Sequence, residues 1–275
     1  MSWLGVLGVL ACVGTVAGTA AGTAAAAPRG VTPSVSSNWA GYAISDSATI
    51  DGGTPAKPLA FSDVTASWVQ PKVRCIAGRA AYSAFWVGLG GFSTSATALE
   101  QIGTESDCSA AGLPTYSAWY EIVPGPSQQV HLAIRAGDHI TTAVVVNGTD
   151  VTLQVKNRTL GTTFTRQLVV AHPDVSSAEW IAEAPSECSG RCHVLPLANF
   201  RSMAFTSIAA TADGHPGTLF DPAWTALPIQ LVPSSSYHSF FGGPDQASNA
   251  GATPVSSTPD GRRFAVSWLA DAVTG

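Results

Sequence analysis

The stretch "SSAEWIAEAP", residues 176–185, places Glu179 and Glu183 four apart in a run that alternates like a strand. In an extended chain alternate side chains share a face, so Glu179, Ile181 and Glu183 project one way while Ala178, Trp180 and Ala182 project the other. Carboxyls on one sheet face can transfer protons, although for an arbitrary Glu in a half-buried strand a solvated charge is the commoner case. Other chemistries lack their residues. No Gly-x-Ser-x-Gly elbow occurs for a serine nucleophile. The six histidines are scattered, with no His-Glu-x-x-His pair and no short cluster, so no metal is expected, and His131, His139 and His172 read as framework residues in or beside strands. No Gly-rich loop follows a strand and opens a helix, so no nucleotide cofactor is expected either. Carboxylates, amides and aromatics remain.

Those groups must be positioned by a chain of 275 residues that is 45% hydrophobic, enough to bury a sizeable core. Charged residues make up 11%, well below the roughly 25% of an average domain, and 13 Lys+Arg against 18 Asp+Glu leave a net charge of −5. No basic stripe exists to hold nucleic acid or an anionic membrane surface. With few ionic contacts, little stability depends on ionised carboxylates, and few bases limit self-repulsion in acid, so the composition suits low pH.

Short runs rich in Val, Ile, Thr, Trp and Tyr follow one another from about Ser36 to the end, separated by turn signals: "ASWVQP", "YSAFWVGLGG", "TYSAWYEIVPGP", "TRQLVVAHPD", "MAFTSIAATADG" and "RRFAVSWLA" among them. Strands at that spacing with almost no helical periodicity indicate an all-β sandwich or barrel of antiparallel sheets. "VVVNGTDVTLQV" predicts a tight hairpin at Asn-Gly. Asn147 and Asn157 each begin a glycosylation sequon. Residues 1–27 read as a secretory signal with cleavage near Ala27: the apolar stretch from Trp3 to about Val16 is shorter than the roughly 20 residues of a membrane span, although the usual basic residue ahead of it is missing. Residues 28–35 read as a short linker and 36–275 as one domain. Of the four cysteines beyond the signal, Cys188 and Cys192 are close enough for a local clip, which leaves Cys75 with Cys108. Zinc on Cys188, Cys192 and His193 is the weaker reading, since no fourth ligand lies nearby.

The segments "SSNWAGY" (36–42), "FWVGLGG" (85–91), "LEQIGTE" (99–105), "YSAWYEIVP" (116–124), "IRAGDHI" (134–140), "AEWIAEAP" (178–185) and "LANF" (197–200) together resemble the glutamic peptidases, or eqolisins, in order and approximate spacing. The resemblance covers most of the chain after the signal. It implies a concanavalin-like sandwich of two large antiparallel sheets with a concave substrate groove, and a catalytic pair of one glutamine and one glutamate, falling here on Gln101 and Glu183. Trp39 and Trp86 match tryptophans near the family's active centre, and Glu121 an acid that contacts substrate or its network. Two positions depart from the fungal members: Gly90 and Glu105 stand where those carry Asp. Little room remains for the long propeptide of fungal members. The resemblance implies a secreted acid endopeptidase without metal or other cofactor, a monomer acting on polypeptides, with no nucleic acid and no membrane involved after signal cleavage.

The chemistry fits the residue types. A carboxylate can take a proton from water and return it to the leaving amine, and a Gln amide can hold that water and then hydrogen-bond the oxyanion. An unperturbed Glu titrates near 4.3, so such a base works in acid where a histidine is protonated. Two other classes share the sandwich. A glycoside hydrolase would use Glu121 with Glu183 as its carboxyl pair. A lectin-like module would stack sugar rings on Trp39 and Trp86 without turnover.

Overall fold

A computed structural model describes residues 33–46, 58–93, 96–189, 191–233 and 250–270, and these contain strands and no α-helix. The signal-like segment lies outside them. In chain order the strands are β1 (Ser34–Ser36), β2 (Trp39–Ser45), β3 (Phe61–Val69), β4 (Ala84–Gly90), β5 (Leu99–Cys108), β6 (Pro114–Val123), β7 (Gln128–Val130), β8 (His139–Asn147), β9 (Asp150–Asn157), β10 (Thr162–Val169), β11 (Ser177–Glu183), β12 (Ser186–Ser189), β13 (Arg191–Val194), β14 (Ser202–Ala212), β15 (His215–Gly217), β16 (Thr225–Leu231), β17 (Gly251–Ser257) and β18 (Arg263–Leu269).

Hydrogen bonding orders them as β10-β9-β8-β3-β14-β18-β17-β16-β2-β11-β4-β5-β6-β7, with β1 beside β16, β15 beside β14, and β12-β13 a separate hairpin. The path folds into two layers. A back sheet runs from β10 to β17 and a front sheet from β16 to β7, joined where Leu231 of β16 pairs with Ala252 of β17. Pairing is antiparallel throughout the path, and β1 alone runs parallel to its neighbour. This is the sandwich the sequence predicts.

Alternation decides the back sheet. In β8 and β9, Ile140, Val144, Val146, Val151, Leu153 and Val155 are buried, while the residues between them face outward. β14 breaks this rhythm: Phe205 and Ile208, three apart, are both fully buried. A bulge makes that possible, since the register with β3 shifts between Thr206 and Ala209 and Ser207 takes φ 52°. The front sheet is instead buried almost continuously along β2, β4 and β11, because it is covered on both faces. One face packs against the back sheet, where indole N–H groups tie the layers: Trp180 donates to the Thr65 carbonyl at 3.0 Å and Trp68 to Thr104 Oγ1 at 3.2 Å. The other carries a second apolar cluster around Trp39, Ala43, Ala84, Trp86, Leu99 and Ile181.

The hairpin at Asn-Gly forms, with Asn147 opposite Asp150 and Gly148 at φ 63° in the turn. The two sequons differ in access. Asn147 is exposed at the hairpin tip, whereas Asn157 is fully buried and its amide donates to Ala133 O and Asp138 Oδ2. Cys75 and Cys108 form a disulfide with Cα atoms 5.3 Å apart, tying the segment after β3 to the end of β5. Backbone register places Cys188 opposite Cys192 in the β12-β13 hairpin, but their side chains lie outside the described residues.

Candidate active site

Register across the front sheet lays the expected residues out in rows. Glu183 of β11 stands between Trp39 of β2 and Ala84 of β4, and Ala84 pairs with Glu105 of β5. Two residues along, Ile181 stands between Gly41 and Trp86, and Trp86 pairs with Gly103. Two further, Glu179 pairs with Gly88, Gly88 with Gln101, and Gln101 with Glu121 of β6. Positions two apart along a strand share a face, so Trp39, Trp86, Gln101, Glu105, Glu121 and Glu183 all project from the outer side of this sheet, away from the main core.

Glycines make the tryptophan row possible. A Cβ on Gly103 would lie 2.2 Å from the Phe85 carbonyl oxygen and 2.6 Å from Trp86 Cβ, and one on Gly88 would meet Leu99 Cδ1 at 2.9 Å and the Trp86 ring at 3.0 Å. The Trp86 side chain fills what these glycines leave open, fully buried and edge-on to Trp39 at a centroid distance of 5.0 Å.

Trp86 is thereby aimed at Glu183. Its indole N–H donates to Glu183 Oε2 at 2.7 Å, and Asn38 Nδ2 donates to Oε1 at 3.0 Å. Asn38 is fixed by a tight turn between β1 and β2: Ser36 Oγ donates to Asn38 Oδ1 and accepts the backbone N–H groups of Asn38 and Trp39. With Oδ1 engaged, the amide nitrogen is the end presented to the carboxyl. Burial pushes Glu183 up to about 8; the Trp86 bond opposes this, the charge of Glu121 adds to it, and the Asn38 and Trp39 bonds oppose it. The residue as a whole keeps partial exposure, while its carboxyl is buried among these donors.

Gln101 is almost fully buried, donating from Nε2 to Glu121 Oε2 at 2.6 Å while its Oε1 has no hydrogen-bond partner. Glu121 is raised by burial, against the bond from Gln101. It links the pair, bonded to Gln101 and felt electrostatically by Glu183. Glu105 is tied elsewhere. It accepts from Ser117 Oγ at 2.6 Å, is raised by burial, and its charge helps raise Asp107 to about 7, behind burial as the main cause.

Glu179 shares the face of Glu183, as alternation requires, but it is fully buried. Burial pushes it well above the ordinary carboxyl range; Ser177 opposes this without reaching hydrogen-bonding geometry, and Asp174 and Glu100 add to it. Glu100, also fully buried, is pushed up to about 8 by burial and by the charge of Asp174. Glu100 is therefore a neutral acid below about 8, and burial favours the neutral form of Glu179 likewise. They belong to the structure of the sheet.

A family model, the peptidase A4 family, matches residues 37–231. The chain belongs to the peptidase A4 family. Solved structures agree in fold. Scytalido-glutamic peptidase with a peptide-based transition-state analogue is 24% identical, with a TM-score of 0.63 over 84% of this chain and 98% of that one. SCP-B, a member of the eqolisin family in complex with the tripeptide Ala-Ile-His, is 23% identical, with a TM-score of 0.60 over 84% and 98%. Aspergilloglutamic peptidase from Aspergillus niger is 25% identical, with a TM-score of 0.52 over 69% and 99%. No curated protein matches the chain.

For this peptidase A4 family member, the departure at Gly90 has a visible physical basis. At φ 81°, a Cβ there would lie 2.4 Å from Asp174 Cβ and 2.7 Å from Asp174 Cγ. The Asp174 side chain occupies the space a residue at 90 would fill, accepting N–H bonds from Gly91 at 3.3 Å and Ser176 at 2.9 Å. A carboxyl therefore remains beside β4, supplied from the segment leading into β11. The contribution of Asn38 is absent from the sequence reading. It lies within "SSNWAGY", but its donor role depends on the Ser36 turn and on β2 lying next to β11.

Proposed function

We propose that this chain is a secreted endopeptidase working on the acid side of neutrality, with Gln101 and Glu183 as its catalytic pair and a catalytic domain behind a signal (1–27) and a short linker; the pairing of Ser34 and Val35 with β16 starts that domain at β1, two residues before the expected boundary of 36–275. The observation that carries this reading is the cradle of Glu183: a carboxyl on the outer sheet face, held at both oxygens by N–H donors from Trp86 and Asn38. Such donors favour the ionised form against the burial that disfavours it. Ionised Glu183 takes a proton from the attacking water as the water oxygen bonds to the peptide carbon. Gln101 offers Oε1 to that water and, once substrate displaces Glu121, Nε2 to the developing oxyanion. Glu183 then returns the proton to the leaving nitrogen as the carbon–nitrogen bond breaks. Trp39, Glu105 and Glu121 would contact substrate or hold the groove that receives it, and Trp86 acts through Glu183. The protein would act as a monomer on polypeptides, without metal or other cofactor.

The test is digestion of an acid-denatured protein across about pH 3–8, spanning the ordinary and raised carboxyl ranges, with a chelator and an inhibitor of aspartic peptidases present. Gln101→Ala and Glu183→Gln should each abolish cleavage, and Glu121→Gln should mainly raise KM. Cleavage of a β-linked glucan by the wild type, lost with Glu121→Gln and kept with Gln101→Ala, would instead establish a glycoside hydrolase built on Glu121 and Glu183.

A further inference from the structure

We propose that the outer face of the back sheet, on the layer opposite the catalytic pair, is a binding site for a saccharide bearing sulfate or phosphate esters. A cavity of about 1170 Å³ opens there between β3, β8, β14 and β18, closed at one end by the segment after β3 and by the turn joining β9 to β10. Lys72, Arg158 and Arg263 line it, with His139, and no Asp or Glu does. In a chain whose acids outnumber its bases 18 to 13, that local excess is opposite in sign to the whole. Among the described residues the ion pairs are His193–Glu187 and His215–Asp221, so none of the three cations is paired with a described carboxylate. Like charges gathered without partners repel, and an anion bound among them relieves that repulsion.

The lining also selects the body that carries the anion. Alternation turns Ser67, Thr141 and Thr206 outward into the cavity: Ser67 and Thr141 hydroxyls are 2.9 Å apart, and Thr206 Oγ1 donates to the Ser67 carbonyl at 3.0 Å. Thr159 Oγ1 accepts the His139 backbone N–H at 2.8 Å, which leaves its own O–H as a donor. The bulge at Ser207 puts a further hydroxyl residue on the wall. A row of hydroxyls complements the hydroxyls of a sugar, and the volume greatly exceeds that of one tetrahedral anion. The choice of ester over carboxylate rests on the acid end of the working range proposed above: near pH 4 uronates are part-protonated, whereas sulfate esters and the first ionisation of phosphate esters keep their charge. The cation cluster itself does not depend on that reading. With this site on one layer and the Gln–Glu pair on the other, a bound polymer anchors the enzyme and leaves the catalytic face open.

The experiment is calorimetric titration of the full chain with low-mass dextran sulfate at about pH 4, near the carboxyl reference value, alongside plain dextran and polygalacturonate. Dextran sulfate should bind with an affinity that weakens as salt rises; plain dextran should not bind, and polygalacturonate should bind at least tenfold more weakly. The triple variant Lys72→Ala, Arg158→Ala, Arg263→Ala should lose at least tenfold in affinity, while Arg158→Lys with Arg263→Lys should keep most of it. Peptide hydrolysis by these variants should be unchanged, which separates failure of this site from failure of the peptidase reading. Absence of dextran sulfate binding, equal binding of plain dextran, or binding untouched by the triple substitution would overturn the proposal.

Discussion

Glu183 draws its donors from residues 97 and 145 positions away, Trp86 and Asn38, so its charge state belongs to the assembled sheet and not to its own strand. Each N–H stabilises the carboxylate, and removing one raises the pKa further. Trp86→Phe keeps a ring between Gly88 and Gly103 but deletes the indole N–H. A hydrogen bond to a charged group is worth about 1.5–3 kcal/mol, so kcat/KM should fall by roughly 10- to 100-fold and the acid limb of its pH profile should move upward. An unmoved limb would mean that Glu183 does not set the profile. The sequence motifs single out Glu183 and Trp86 individually. They do not show the bond between them, because that bond requires β11 to lie beside β4. Nor do they show that Glu179, identical in type and face, is sealed from solvent, since alternation assigns a face but not what covers it.

Order among the strands marks where the sequence stops being informative. The runs β4-β5-β6-β7 and β8-β9-β10 connect neighbours in sequence, and turn residues such as Asn147-Gly148 predict them from local chemistry. The insertion of β11 between β2 and β4 joins segments more than eighty residues apart, and no local signal encodes it. Glycines in and beside this crossing, Gly41 on β2 and Gly103 on β5, record it only after the fact. Gly41 has φ 150° and would place a Cβ 2.1 Å from the Trp180 carbonyl oxygen, and Gly103 is equally confined against Phe85. In Gly103→Ala, backbone contacts leave no flexible neighbour to yield, so β4 and β5 must shift, with a stability cost of about 1–3 kcal/mol and displacement of Trp86 from Glu183. Gly137→Ala is the comparison: φ is 88° with open space around it, so backbone strain is its sole penalty and activity should be retained. Urea midpoints together with kcat for the two variants distinguish them; equal kcat losses would remove the argument for close packing under Trp86.

At the scale of the whole molecule, the carboxyls set opposing demands. Glu100 is raised to about 8 and Asp107 to about 7, chiefly by burial, and Glu179 is raised well above the ordinary carboxyl range by the same cause. A carboxyl whose folded pKa lies above its unfolded value stabilises the fold fully below the unfolded value, near 4, and that contribution is lost as pH rises through the folded value. Thermal midpoints should therefore be highest near pH 4 and decline toward pH 8, and Glu179→Gln, which keeps the shape and cannot ionise, should flatten the decline. A midpoint that rises between those pH values would refute the assignment. In the proposed mechanism catalysis pulls the other way, because Glu183 would begin as a base and its ionised fraction grows as pH approaches about 8. The sequence reading took this glutamate at its ordinary value, near 4.3, and burial in the assembled sheet displaces it. Activity is thus confined between the ordinary carboxyl range, below which Glu183 is almost wholly protonated, and the range where the buried acids ionise and loosen the sheet. The profile of kcat/KM should be a bell within about pH 4–8 whose alkaline limb follows unfolding. In Glu179→Gln that limb should move to higher pH while the acid limb, set by Glu183, stays in place.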